Sequence, residues 1–266
     1  MIKRRIAQVV STILYNAGLI SDLPRRYMPS RFCVPGLNCQ FCPASVAGCP
    51  LNYLQGIFAG RWRRLPISSI AWFLLFTIAL GRVICGWLCP FGLFQDLLDK
   101  VPLPKIHKNK VTRGLSYVKY FFLFGVVCAI PAYMAIAENR TVLAFCRYVC
   151  PNLYFDQTLY ALIKGQEPGM NLFAEPAFLF LIAIIIASLF IFRPFCRFIC
   201  PLGAFYGFFN KTSLFSIKVD KTKCINCHAC EKVCPMDIKK VGDRECISCG
   251  KCKSICHFGA IHYGRK

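Results

Sequence analysis

The sequence predicts an all-helical membrane domain of about four transmembrane helices with short half-helices, followed by a small α+β domain at the C-terminal end. Three observations carry that expectation. Mean hydropathy is +0.48 and 17% of the 266 residues are charged, which is too apolar for a disordered chain or an ordinary soluble enzyme. Four stretches carry no charge and are rich in Leu, Ile, Phe and Val: Ile6–Ser21, Leu65–Gly81, Tyr120–Ala137 and Pro176–Phe192. The chain has 19 cysteines, and eight of them crowd into residues 224–256. The domain boundary is expected near Asn210–Ser216, giving a transmembrane domain over 1–210 and a cysteine-rich domain over 211–266.

The apolar stretches run to 16–18 residues, the low edge of what spans a hydrocarbon core of about 30 Å. Pro176–Phe192 has Ser188 as its only polar side chain, and Tyr120–Ala137 contains Pro131, which a membrane helix tolerates. Trp62 and Trp72 lie near the ends of Leu65–Gly81 as interfacial anchors. Ile6–Ser21 is interrupted by Gln8, Ser11, Thr12 and Asn16, so an interfacial amphipathic helix is its alternative. The basic start MIKRR suits a signal peptide, but no small-x-small site follows the apolar run, and the segment is expected to be retained.

A net charge of +21 suggests nucleic acid at first sight. The bases are dispersed around apolar spans instead of gathered on one recognition element, so no nucleic-acid partner is expected. Lys100, Lys105, Lys108, Lys110 and Arg113 place the segment Asp99–Arg113 in the cytoplasm, while Glu138–Glu175, with three bases and four acids, suits the outer side. Four spans then put both termini in the cytoplasm, in a multi-pass protein of the inner membrane. The loop Asp22–Arg64 runs against this rule, because it would carry Arg25, Arg26, Arg31, Arg61, Arg63 and Arg64 outward.

The C-terminal part reads Cys224-x2-Cys227-x2-Cys230-x3-Cys234-Pro235 and, after a short gap, Cys246-x2-Cys249-x2-Cys252-x3-Cys256. Three cysteines at this spacing wrap three corners of one iron–sulfur cubane, and the fourth reaches to the other. Cys224, Cys227, Cys230 and Cys256 are therefore expected to hold one [4Fe–4S] cluster, and Cys246, Cys249, Cys252 and Cys234 a second. Soft thiolates suit iron in such clusters. Cys224-x2-Cys227-His228 also matches a c-type haem attachment site, but that would orphan Cys230 and Cys234. A zinc ribbon would use four cysteines, not eight, and structural disulfides are disfavoured in a reducing compartment. Residues 217–263 resemble the bacterial two-cluster ferredoxins, with a shortened gap at Pro235–Glu245 and His257 in place of a proline. Neither departure removes a ligand. Lys221, Lys223, Lys232, Lys239, Lys240, Lys251 and Lys253 form a solvated face that offsets cluster charge or steers an acidic redox partner. His228, His257 and His262 read as surface residues.

The apolar part contains an internal repeat. Arg82-x2-Cys85-x3-Cys89-Pro90-x-Gly92-x-Phe94 aligns with Arg193-x2-Cys196-x3-Cys200-Pro201-x-Gly203-x-Phe205, each copy directly after an apolar span. A shorter copy is Cys146-x3-Cys150-Pro151, and a related knot is Cys39-x2-Cys42-Pro43 with Cys49-Pro50. On a helix, positions i and i+4 share one face, so each pair presents two sulfurs together. Such pairs can coordinate a metal, form a redox disulfide, line a quinone pocket or simply pack; plain packing suits Cys128 and Cys33. The predicted topology sets Cys85, Cys89, Cys196 and Cys200 at the cytoplasmic side and Cys39, Cys42, Cys49, Cys146 and Cys150 at the outer side. Each group supplies at least four thiols, so one further redox centre near each membrane face is expected, feeding the two C-terminal clusters.

These features together resemble the NapH/NosR/CcoG-type membrane iron–sulfur proteins, over nearly the whole chain. The resemblance implies electron exchange between the membrane quinone pool and a partner redox protein or oxidoreductase, or a supporting role in its maturation. The chain carries cysteine motifs at Cys39–Cys49 and Cys146–Cys150 beyond the simplest members, and no flavin-bearing outer domain of the NosR branch is seen. The favoured function is an integral membrane electron-transfer component working through two [4Fe–4S] clusters, with lipid, quinone and a redox protein as partners. The alternative is an accessory protein that supplies reductant through thiol pairs for cofactor assembly. A redox sensor lacks a visible output domain. No P-loop, GxGxxG, HExxH or GxSxG is present, and no catalytic constellation is expected. Asp96, shortly after the first Cys-Pro turn, and Asp156, shortly after Cys150-Pro151, are candidates for handling quinol protons. Most other carboxylates read as loop or helix-end charges.

Overall fold

The computed structural model describes residues 2–19, 33–61, 66–106, 110–165, 176–236 and 238–264. Trp62, Arg25, Arg26, Arg31, Arg63 and Arg64, all used in the topology argument, lie outside the described residues.

The helical part runs through α1 (Ile2–Tyr15), α2 (Pro50–Phe58), α3 (Ile67–Leu80), a short α4 (Val83–Trp87), α5 (Pro90–Leu98), α6 (Val111–Ala137), α7 (Asn152–Lys164), α8 (Pro176–Phe190) and α9 (Pro201–Phe209). Among the described residues, α6, with 27 residues, is the one helix long and apolar enough to cross a membrane; α3 and α8 are apolar but shorter. The stretch beginning at Ile6 lies in α1, whose Arg4, Gln8 and Ser11 face inward while Ile6, Val9, Val10, Ile13 and Leu14 face outward. α6 starts earlier than the charge-free stretch and takes in Arg113 and Lys119. That lysine is fully buried and neutralised by an ion pair with Glu245.

Four of the six Cys-Pro steps lead into a helix; Cys42-Pro43 and Cys234-Pro235 lead into turns. The residue before a proline is pushed out of the helical region, while proline itself suits the first helical position, where its missing N–H is no loss. Cys49, Cys89 and Cys200 accordingly sit as extended N-caps (ψ 144°, 119° and 112°) directly before α2, α5 and α9. Cys150 is likewise extended (ψ 112°) before Pro151 and α7. The three Cys-x3-Cys turns are wider than an α-helix. The N–H of Cys89, Cys150 and Cys200 donates to the carbonyl five residues back, on Ile84, Phe145 and Phe195, at 3.0, 2.8 and 2.8 Å. The shared helical face expected for each pair is thus corrected: the first cysteine lies in the wide turn, and the second in the cap of the next helix.

The two long repeats are related across the core. Arg193 donates Nη1 to the Cys85 carbonyl at 2.5 Å, and Arg82 donates Nη2 to the Cys196 carbonyl at 3.3 Å. Both guanidinium groups are fully buried. Arg193 grips Asp96 through Nε–Oδ1 (2.7 Å) and Nη2–Oδ2 (2.8 Å), and Arg4 adds a third contact at 2.8 Å. Asp96 is thus occupied as the counter-charge of two arginines, which removes it as a proton carrier. Around these groups pack Phe91 against Phe195 (5.2 Å, edge to face) and Phe73 against Phe205 (4.7 Å).

The C-terminal part is closed by β1 (Ile217–Val219) and β2 (Ile261–Tyr263), antiparallel with Ile217 opposite Tyr263. Two one-turn helices, α10 (Ala229–Lys232) and α11 (Lys251–Ser254), lie between them. The two cysteine runs repeat an unusual backbone: Asn226 and Ser248, then His228 and Gly250, all have positive φ (55°, 51°, 56° and 86°). Left-handed residues in such loops turn successive N–H groups toward one centre, a conformation suited to an anionic ligand.

The second run is docked on the first Arg-x2-Cys-x3-Cys-Pro repeat of the helical part. Gly86 meets Ile247 so closely that a Cβ there would stand 2.1 Å from the Ile247 carbonyl oxygen. Trp87 Nε1 donates to the Ser248 carbonyl at 3.0 Å, and Asn210 Nδ2 donates to the carbonyls of Asp243 (2.6 Å) and Cys246 (2.9 Å). Arg82 Nη1 reaches Glu245 Oε2 at 2.5 Å, beside the Lys119–Glu245 pair. Burial works to raise the Glu245 carboxyl, but the Arg82 and Lys119 charges outweigh it and hold the group below the ordinary glutamate value.

Two outcomes follow from these contacts. Asp96→Asn leaves two buried guanidinium groups without their counter-charge and is expected to destabilise the helical part by about 3–5 kcal/mol, read as a lower unfolding midpoint in detergent. Gly86→Ala forces a Cβ against backbone that cannot turn aside. It is expected to release the Cys246–Cys249 loop, read as faster amide exchange at Ile247 and Ser248, with the helical part unchanged.

Candidate metal centres

The structure gathers most of the cysteines into sets of four. Cys85, Cys89, Cys196 and Cys200 are buried together between α4, α5, the wide turn before α9 and α9 itself; their charges would act on one another. Cys39, Cys49, Cys146 and Cys150 line a single cavity, together with Asn38, Gln40, Asn52 and Asn152. Cys49 of this set lies within electrostatic range of Cys89 of the first.

In the C-terminal part, Cys234, Cys246, Cys249 and Cys252 line a second cavity, with Ile217, Met236, Ile238 and Ile247 as its apolar wall. These are the four residues that the spacing assigned to one cluster, including the crossover from the first run. Burial pushes the Cys252 thiol up to about 12, and the neighbouring sulfurs of Cys246, Cys249 and Cys234 add to the shift. Loading with metal would therefore release protons that the empty site holds firmly. The fourth set is more open. Cys230 and Cys256 pack beside Ile217 and Ile261, Cys227 lies near Cys230 and is exposed, and Cys224 is half-buried at the outer end.

Three cysteines stand apart. Cys33 Sγ donates to the Ser69 carbonyl at 3.4 Å, and Cys128 is half-buried on α6. Cys42, grouped on sequence with Cys39 and Cys49, instead directs its sulfur to the Asp156 carbonyl at 3.5 Å and is not among the cavity's lining residues. His228 lies on the surface against Glu231 at 3.1 Å, away from any haem-like enclosure.

The donor sets fit a multi-iron core. All 19 cysteines are free thiols, so the structure pairs none of them as a disulfide. Among the described residues, no three Cys, His, Asp or Glu side chains converge tightly enough to hold one metal ion. A single zinc would need four sulfurs within about 2.3 Å of one point. A cubane takes each sulfur on a different iron, so its ligands stand farther apart around a shared cavity. Helix starts add to the fit. Cys49, Cys89 and Cys200 cap α2, α5 and α9, where free N–H groups and the positive end of the helix dipole favour thiolate.

Gln55, Gln95 and Tyr206 escape the sequence reading, whereas Asp156 is singled out there as a candidate for handling quinol protons. Gln95 Nε2 lies 3.4 Å from the Cys196 sulfur, and Gln55 Nε2 lies 3.0 Å from the Cys146 sulfur. Asp156 is buried and accepts hydrogen bonds from the Cys39 N–H (2.8 Å) and Asn152 Nδ2 (2.5 Å). Tyr206 Oη donates to the Pro35 carbonyl at 2.6 Å. A signal was present: Gln55, Gln95, Asp156 and Tyr206 each stand six residues after the cysteine of a Cys-Pro step. Alignment of the cysteines and glycines alone leaves that polar position unnoticed.

Comparison with known proteins agrees with this chemistry. A family model described as a 4Fe-4S binding domain matches residues 62–110, 121–167 and 173–222, and a second model of the same description matches residues 217–240. An uncharacterised protein of Methanocaldococcus jannaschii is 32% identical over 175 residues, covering 65% of this chain and 66% of the relative. The ferredoxin-type protein NapH of Haemophilus influenzae is 29% identical over 177 residues, covering 64% of this chain and 54% of NapH. The methylamine utilization ferredoxin-type protein MauN of Methylorubrum extorquens is 28% identical over 244 residues, covering 87% of this chain and 73% of MauN. The chain thus spans between about half and two thirds of the archaeal relative and of NapH. No solved structure matches. With more than half of its residues inside the matched models, the chain belongs to the 4Fe-4S binding family of NapH/NosR-type iron–sulfur proteins.

Proposed function

We propose that this protein is an integral membrane electron-transfer component that passes electrons between the quinol/quinone pool, or another membrane redox centre, and a partner oxidoreductase. The observation that carries the reading is the sequence of four-cysteine sets with the Gly86–Ile247 contact at their junction. In this reading residues 1–210 form the membrane domain and residues 211–266 the two-cluster domain. The ligands are Cys224, Cys227, Cys230 and Cys256 for one C-terminal cluster, and Cys234, Cys246, Cys249 and Cys252 for the other. Cys85, Cys89, Cys196 and Cys200 hold a third, and Cys39, Cys49, Cys146 and Cys150 a fourth.

The distribution of side chains supports a lipid setting. Outward surfaces of α1, α3, α6 and α8 carry Ile6, Leu75, Phe121, Ile136, Leu179 and Ile186, while Arg82, Gln95, Asp96, Lys119 and Arg193 lie inside. That is the reverse of a water-soluble bundle, and it suits helices solvated by hydrocarbon around a polar centre. The spans supplied by α1, α3 and α8 complete the multi-pass arrangement with both termini in the cytoplasm.

Bound [4Fe–4S] clusters would supply one-electron storage at potentials set by burial, sulfur hydrogen bonds and local charge. The chain's own residues fix the rest. Trp87, Asn210 and the Glu245 ion pairs hold the Cys246–Cys249 loop against the Cys85-Gly86 turn, so the third and second sets adjoin. Buried Arg82 and Arg193 place positive charge beside sulfurs that carry net negative charge when loaded. The exposed set around Cys227 faces outward between Lys221, Lys223 and Lys232, the side suited to an acidic redox partner.

EPR-monitored reduction of the membrane-embedded protein by quinol tests this. Quinol is expected to reduce the C-terminal clusters in the wild type. Cys89→Ala is expected to slow that reduction at least tenfold while leaving both C-terminal signals intact under dithionite. Unchanged quinol reduction in Cys89→Ala would remove the helical sets from the route.

A further inference from the structure

The four Cys-Pro helices share a buried polar side chain six residues past the cysteine, and two of the four use it on sulfur. Gln55, on α2, and Gln95, on α5, are both fully buried. Gln95 Nε2 points at the sulfur of Cys196 (3.4 Å), and Gln55 Nε2 points at the sulfur of Cys146 (3.0 Å). In each case the donor crosses from one Cys-Pro helix to the first cysteine of the opposing pair. Each four-cysteine set of the helical part therefore receives one glutamine N–H, and the Cys85 sulfur of the first set also meets the Arg82 guanidinium. The residues at the same position in the other two helices do something else: Asp156 accepts from the Cys39 N–H, and Tyr206 donates to the Pro35 carbonyl.

The position calls for an apolar residue if packing were its only role. Gln95 Oε1 is buried without a partner, so the carboxamide sits in the core with a sulfur as its one hydrogen-bonding neighbour. Leaving such an oxygen unsatisfied costs about 1–3 kcal/mol relative to an apolar side chain of the same shape. Gln55 differs in that its Oε1 accepts the Phe145 N–H at 3.0 Å, which also fixes the wide turn carrying Cys146. The shared feature of the two residues is the N–H aimed at sulfur.

We propose that Gln55 and Gln95 set the redox potentials of the two centres in the helical part, each raising one of them by donating a hydrogen bond to a ligand sulfur. The inference rests on the cluster reading given under Proposed function. Its physical basis is that reduction adds an electron whose charge is spread onto the sulfurs. An N–H donor then binds the reduced form more strongly than the oxidised form, which moves the midpoint upward. The glutamines are positioning residues in this scheme, since they act through the cysteines and do not touch iron.

Redox-titrated EPR of the full chain in its membrane tests the proposal, with the other centres as internal references. Gln95→Met removes the donor, keeps the volume and relieves the unsatisfied oxygen. It is expected to preserve iron content and to lower the midpoint of one helical-part centre alone. Gln55→Met is expected to lower the midpoint of the other. Gln95→His, which keeps a ring N–H, is expected to return the first midpoint toward the wild-type value. Midpoints unmoved in both methionine variants, with iron content intact, would overturn the proposal. Loss of the centre's iron in Gln95→Met would also overturn it, by showing that Gln95 builds the site instead of tuning it. Failure of the underlying reading looks different: the wild type itself would show two centres and no more.

Discussion

The structure depends on one local constraint, the proline that follows a cysteine. It keeps the cysteine out of the helical conformation and, at four of the six Cys-Pro steps, leads within two residues into a helix. The sulfur is thereby left at the mouth of a helix, in extended backbone, where N–H groups without intrahelical partners are concentrated. Because this junction recurs at Cys49, Cys89, Cys150 and Cys200, four helix starts are available to be brought together in pairs. The wide turns that precede three of them place a second cysteine beside each cap. Two four-sulfur sets follow from repetition of a single device.

Holding these sets in an apolar surround requires charge to be managed. Arg82 and Arg193 each donate to a carbonyl of the opposing cysteine turn and are each neutralised by a carboxylate. The two carboxylates have different origins. Asp96 comes from the helical repeat itself, whereas Glu245 comes from the C-terminal part, immediately before Cys246. The same kind of pair therefore stabilises the interior in one case and ties the two parts together in the other. The charge seam, the Gly86–Ile247 approach and the Trp87–Ser248 hydrogen bond all act on the same short loop. That is why the Cys234/Cys246/Cys249/Cys252 set is enclosed while the set around Cys227 stays open.

Much of the site could be read from the residues. The spacing of the two C-terminal runs names the four cysteines that line the enclosed cavity, Cys234 from the other run among them, because ligand spacing is a local property. The pairing of Cys85/Cys89 with Cys196/Cys200 was legible from the repeat and the alternation of apolar spans. What the sequence did not yield were features that depend on three-dimensional closure. Asp96 reads as a proton carrier until Arg193 and Arg4 are seen to occupy it. Lys119 hides inside α6 only because Glu245 meets it from a part of the chain more than a hundred residues away. Gln55 and Gln95 sit at a repeated offset, yet their role needs the opposing sulfur to be visible. Cys42 belongs to the motif by spacing and is turned elsewhere by Asp156.

The central claim is that sixteen of the cysteines form four cluster sites, two of them within the helical part. Iron and acid-labile sulfide analysis of anaerobically purified full-length protein tests it most directly. The account predicts about sixteen iron and about sixteen sulfide per chain, and about eight of each would contradict it by confining the clusters to the C-terminal part.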